Sequence, residues 1–180
     1  MKETIRLILV LTLICAVSSA LLAAVYRVTK DPIAKALELR TAEAASKVMP
    51  AGLSMPEKTV LDDNTFFVCK RDGRVAAVAV EGRSANGYGG AVVLMVGMSA
   101  DGKLANYEVV QANETPGLGT KMTSDAFKKP LLGRPLNGVW KVKKDGGDVD
   151  AITAATISSR AVLECIRDAI AKYNRAAPQL

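Results

Sequence analysis

TFFVCK (Thr65–Lys70), RDGR (Arg71–Arg74) and VAAVAVE (Val75–Glu81) follow one another without interruption. Apolar and β-branched residues on either side of an Asp-Gly turn predict the two strands of a hairpin. The arrangement returns at Ala91–Met98 and Lys103–Gln111 around Asp101-Gly102, so the sequence predicts an antiparallel sheet. Further along, Ser124–Lys129 reads as a short helix, Val139–Lys143 as another strand and Ser158–Tyr173 as a final helix. In that helix Val162, Cys165, Ile166, Ala169, Ile170 and Tyr173 recur at three- and four-residue spacing, which predicts one face packed on the sheet. Cys165 belongs to this stripe and reads as core; Cys69 ends a strand and is given no role.

Upstream of the hairpins the chemistry changes. Leu7–Tyr26 (LILVLTLICAVSSALLAAVY) carries no charge and as a helix reaches roughly 30 Å, the thickness of a hydrocarbon core. It is longer than the roughly 7–15-residue core of a signal peptide, so despite Ser18-Ser19-Ala20 the run reads as a retained anchor. Cys15 within it is apolar filling. Lys2 and Arg6 precede the run and Arg27 and Lys30 follow it, so basic flanks do not orient it. Pro32–Met49 reads as a helix leaving the membrane surface, stopped by Pro50-Ala51-Gly52. The expected organisation is therefore α+β, with a single N-terminal transmembrane helix in residues 1–30 and one domain of hairpins and flanking helices in residues 31–180.

Composition removes several chemistries. The chain has no histidine, which excludes histidine-ligated haem, the usual zinc sites and serine–histidine catalysis from its own residues. Cys15, Cys69 and Cys165 form no C-x-x-C pair, so no local iron–sulfur ligand set is expected. Redox chemistry here requires an organic cofactor. The net charge of +6 suits a phosphate-bearing ligand or an anionic lipid, whereas 4% aromatic content argues against nucleic acid as a partner.

Two segments carry the remaining signal. Asp150–Arg160 (DAITAATISSR) crowds small and hydroxylated residues into the turn before an amphipathic helix. The unpaired amides and dipole of a helix start attract phosphate, with Ser158 and Ser159 available as hydroxyl donors and Arg160 as a charge. Ordinary N-capping by Thr156 or Ser158 explains the same residues. Asn113–Met122 (NETPGLGTKM) is rich in turn formers and leaves Glu114, Thr115 and Lys121 to bind a ligand or simply to connect two elements.

Glu114-Thr-Pro-Gly-Leu-Gly119 together with Asp150-x-Ile-Thr-Ala-Ala-Thr156 resembles the FMN-binding domain of the G subunit of Rnf-type complexes. The related C subunit of the sodium-translocating NADH:quinone reductase is similar too. The likeness extends over nearly the whole chain, including the anchor, the Gly87-Tyr88-Gly89-Gly90 entry to a strand and the last helix. It implies covalent FMN, joined through a phosphoester to Thr156 by a separate flavin transferase. It further implies a flavin pocket lined by Glu114, Thr115, Leu118, Gly119 and Lys121, with Thr153 and Ala155 near the phosphate. By the same resemblance the chain is an electron-relay subunit of an ion-translocating ferredoxin:NAD oxidoreductase in the bacterial inner membrane. Its domain is expected on the periplasmic side, with other membrane and redox subunits as partners, and the chain is not a complete enzyme alone. Two departures stand out: Ala154 occupies a position where glycine is common, adding a methyl that restricts the backbone, and Asn113 stands where a histidine often precedes the glutamate. Trp140 reads as core, or as a neighbour of the flavin ring. Two alternatives stand beside the principal expectation: a C-subunit-like part of a quinone reductase, and a non-redox membrane-anchored module that binds a phosphorylated ligand at the same anion site.

Overall fold

Phe66 and Phe67 are both buried, on opposite faces of one sheet, and that pair explains the run of apolar residues in the first hairpin. The computed structural model describes residues 1–53 and 56–180. Five strands form the sheet: β1 (Glu57–Leu61), β2 (Asn64–Arg71), β3 (Arg74–Gly87), β4 (Gly90–Ser99) and β5 (Lys103–Gln111). Each is antiparallel to its sequence neighbours, in the order β1-β2-β3-β4-β5. Because strand side chains alternate, Phe66, Val68, Val78, Val80, Leu94 and Val96 face one layer while Phe67, Ala79, Val93 and Met95 face the other. Both faces are covered, so the strands read as near-continuous apolar runs rather than polar–apolar alternation.

The chain divides into two units, Met1–Leu39 and Arg40–Leu180. Helix α1 (Lys2–Val48) is continuous, with Pro32 inside it. The anchor run and the helix expected over Pro32–Met49 are therefore parts of one helix: the missing N–H of Pro32 removes one hydrogen bond but the turns around it persist. In the first unit the Leu7–Tyr26 stretch is exposed all round, and α1 alone among the described residues is long and apolar enough to cross a membrane. In the second unit the last turns of α1 bury Ala44, Ala45 and Val48 against Phe67, Ala79, Val93, Met95 and Val110. Asn106 on β5 donates to the Lys47 carbonyl at 3.1 Å, satisfying one of the open acceptors at the end of α1.

Helix α3 (Thr156–Ala176) covers the other face and buries the stripe Val162, Cys165, Ile166, Ala169 and Ile170. Its approach to β3 is set by Gly82, where a Cβ would fall 1.9 Å from the Cys165 carbonyl oxygen. Between sheet and helix, α2 (Asp125–Lys128) and short 3-10 turns at Gly119–Thr123, Lys129–Leu131 and Lys143–Asp145 close the end of the core. Tyr107 anchors this segment by donating to the Met122 carbonyl at 2.5 Å, and its burial pushes the phenol well above its ordinary range.

Val139–Lys143 is not a strand, contrary to the expectation. Its side chains do alternate, with Val139 exposed and Trp140 and Val142 buried, but the only pairing among the described residues is a single bridge from Val142 to Val149. Alternating burial here serves a coil that packs on the core. Trp140 takes the core role, 3% exposed, donating its indole N–H to the Leu136 carbonyl at 3.1 Å beneath the Arg134 guanidinium. β1 adds a strand that the sequence pattern does not mark, since it is short, largely exposed and at the sheet edge.

Candidate functional site

Three loops converge at one end of the sheet: the Gly87–Gly90 turn between β3 and β4, the segment after β5, and the turn that opens α3. Proline and glycine in Glu114–Gly119 allow a compact return in which Leu118 and Thr120 both donate to the Thr115 carbonyl, at 3.2 and 3.4 Å. The Gly117 N–H is held by the Thr120 hydroxyl at 2.9 Å. Gly119 then passes so near Glu114 that a Cβ there would sit 2.2 Å from its carboxylate oxygen.

Between these loops lies a cleft of about 440 Å³, a size that suits a small-molecule ligand. Of the residues expected at a ligand site, Glu114, Thr115, Leu118, Gly119, Ala155 and Thr156 line it. Thr153 and Lys121 do not; both are exposed, Thr153 in the turn before α3 and Lys121 in the 3-10 turn after Gly119. Tyr88, Ala154, Ile157 and Ser158 complete the wall. Sequence reasoning assigns Tyr88 and Ile157 no place in the lining, because an exposed apolar side chain has no local signature. With Leu118 they give the mouth an apolar rim, the three being 69%, 45% and 41% exposed.

The start of α3 is not built by side-chain capping. Ala155 occupies the cap position, no side chain bonds the opening amides, and Thr156 is the first helical residue. The N–H groups of Thr156, Ile157 and Ser158 therefore have no acceptor among the described residues, and the helix dipole adds partial positive charge there. Ser158 is 2% exposed and gives its proton to Glu114 Oε2 at 2.6 Å. Ser159, fully buried, donates to the Ala155 carbonyl at 3.0 Å and accepts from the Ile152 N–H at 2.9 Å. Both hydroxyl protons are thus spent on protein acceptors and neither is left for a phosphate, contrary to the expectation from the motif. Arg160 is also committed: it forms two 2.7 Å bonds with Asp145, holding that carboxyl below the usual carboxylate range. Of the three hydroxyls in the first turn of α3, only that of Thr156 has no partner among the described residues.

Ala154 sits two residues before Thr156 with φ +60°, in the left-handed region. Glycine adopts this conformation at no steric cost, whereas alanine places its Cβ against the following carbonyl. The cleft is thus entered through a backbone turn whose geometry a glycine would satisfy more easily.

The residues present fit a flavin phosphate ester: open amides and a helix dipole for the phosphate, an unengaged hydroxyl beside them, and apolar walls for a planar ring. A family model described as an FMN-binding domain matches residues 87–171, which include every residue that lines the cleft. The G subunit of the ion-translocating oxidoreductase complex of Vibrio atlanticus is 31% identical over 93% of this chain and 88% of its own length. The Escherichia coli K12 protein of the same description is 33% identical over 88% and 85%. From Clostridium ljungdahlii, the G subunit of the proton-translocating ferredoxin:NAD(+) oxidoreductase complex is 30% identical over 89% and 86%. Among solved structures, Shewanella oneidensis NqrC superposes with a TM-score of 0.47 at 22% identity, covering 69% of this chain and 65% of that one. The chain belongs to the family of G subunits of ion-translocating oxidoreductase complexes, and residues 87–171 are its FMN-binding domain.

Proposed function

We propose that the cleft holds FMN joined by a phosphoester to Thr156, and that the chain relays electrons within a membrane-bound ferredoxin:NAD oxidoreductase that moves ions. The observation that carries this reading is the position of Thr156: first residue of α3, on the cleft wall, its hydroxyl unengaged while Ser158 and Ser159 are occupied. Attachment requires the Thr156 oxygen to form a P–O bond with the FMN phosphoryl of a phosphoanhydride donor, supplied by a flavin transferase. The anhydride bond breaks, the second phosphate leaves, and the threonine proton passes to a base. The open amides of Ile157 and Ser158 would then hold the ester's charge, and Leu118, Tyr88 and Ile157 would flank the ring. FMN, when bound, supplies the one- and two-electron chemistry; the protein supplies orientation and polarity.

Support for the electron-relay reading comes from the family, whose Clostridium ljungdahlii member is described by a ferredoxin:NAD(+) reaction. Residues 1–30 are the proposed anchor in the bacterial cell membrane, a reading supported by the exposed apolar stretch Leu7–Tyr26, with residues 31–180 on the outer side. A covalent bond fits that location, since a flavin outside the cytoplasm is not replaced once lost. Thr153 and Lys121, outside the cleft wall, are proposed to act at its margin.

The test is spectroscopic. Chain purified from its own membrane is expected to show flavin absorbance that remains with the protein after acid precipitation. Colour that passes wholly into the supernatant would leave FMN bound but not attached, and a colourless preparation would favour a non-redox module for phosphorylated ligands.

A further inference from the structure

One carboxylate joins the three loops of the cleft. Glu114 Oε1 accepts from the N–H of Tyr88 at 2.9 Å and of Gly89 at 3.4 Å, in the turn between β3 and β4. Its Oε2 accepts from the Ser158 hydroxyl at 2.6 Å, in the first turn of α3. Gly119, at the far end of the loop that begins with Glu114, closes over the pair: a Cβ there would lie 2.2 Å from Oε2 and 2.7 Å from the Ser158 oxygen.

We infer that Glu114 is the positioning and selecting residue of the site: it fixes the segment that presents Thr156 and withholds Ser158 from the same chemistry. This rests on the flavin reading of the cleft. A carboxylate has no proton to donate and repels a phosphate, so Glu114 is unsuited to hold the anion itself. Both of its oxygens are instead occupied by protein donors. Ser158 lies two residues beyond Thr156 and is the alternative nucleophile in the opening turn; a carboxylate acceptor by itself activates a hydroxyl, but this one is drawn inward onto Glu114 and only 2% exposed, and that burial is what withholds it. With Ser159 held by the Ala155 carbonyl, the flavin phosphoryl group meets one reactive hydroxyl. The Tyr88 turn is held by the other oxygen, so the apolar rim and the anion end of the cleft share one fixed reference.

The experiment follows flavin attachment by intact mass, using the full chain in detergent with flavin transferase and a phosphoanhydride of FMN as donor. Glu114→Ala and Gly119→Ala, which remove or displace the carboxylate, are expected to slow attachment at Thr156 by about tenfold. Glu114→Gln keeps an acceptor for the two amides and offers an NH2 to the Ser158 oxygen, so it is expected to stay within about threefold of the unaltered chain. Ser158→Ala combined with Glu114→Ala is expected to be no slower than Glu114→Ala alone, because the two act as one unit. Attachment at the unaltered rate in Glu114→Ala, or penalties that multiply in the double variant, would overturn the inference. Amide hydrogen exchange reads the clamp without any flavin: Tyr88 and Gly89 are expected to exchange about tenfold faster in Glu114→Ala. Should the unaltered chain accept no flavin, the proposed function falls, while the exchange rates still decide whether the clamp exists. If Glu114→Ala does not fold, Gly119→Ala and Ser158→Ala carry the same comparison.

Discussion

Ser158 and Glu114, 44 positions apart in the chain, meet at 2.6 Å, and their hydrogen bond closes the cleft between the loop after β5 and the start of α3. Ser158→Ala would leave one carboxylate oxygen without its protein donor in a partly buried setting. Hydrogen bonds to charged groups contribute about 1.5–3 kcal/mol, so the variant is expected to lose about that amount of stability. Urea unfolding followed by circular dichroism measures it; the midpoint is expected to fall with the slope unchanged.

Ala154 is held at φ +60° immediately before the motif's last two residues. Relief of a left-handed alanine is worth about 1–2 kcal/mol, and the extra freedom of unfolded glycine takes back about half. Ala154→Gly is therefore expected to raise stability by about 0.5–1 kcal/mol and to speed flavin attachment. A lower unfolding midpoint would mean that the turn relaxes around alanine.

Cys165 is fully buried and donates to the Val92 carbonyl at 3.4 Å, and burial pushes its thiol from 9.0 up to about 12. The neutral form is the one the fold retains, so its contribution is complete below pH 9 and is lost as pH rises toward 12. Each proton released only on unfolding lowers stability by about 1.4 kcal/mol per pH unit across that window. Tyr107, also raised by burial, acts in the same direction at higher pH. Cys165→Ala is expected to start less stable and to decline less steeply between about pH 9 and 11, read from urea midpoints at each pH.

Much of the sheet is legible in the sequence because hairpin signals are local. Asp72-Gly73 and Asp101-Gly102 sit at the turns where the chain reverses; β5 has its expected limits, β2 and β4 run one residue past theirs at each end, and β3 continues beyond Glu81 to Gly87. Val139–Lys143 misleads because alternating burial signals a surface that packs, and only a partner strand makes that surface a ladder. That the anchor run and the helix after Pro32 are one is not marked in the sequence, although one missing N–H does not stop a helix with intact turns on both sides. At the site, the two motifs are readable separately, but not their junction. That Glu114 occupies Ser158, and Asp145 occupies Arg160, follows from long-range packing that no spacing in the chain encodes.

The central claim is that Thr156 carries FMN as a phosphoester, and intact mass of the chain from its native membrane beside a Thr156→Ala variant tests it most directly. The expected result is the FMN adduct on the unaltered chain and none on the variant, with both folded alike. An unmodified native chain, or an adduct that survives removal of the threonine hydroxyl, would contradict it.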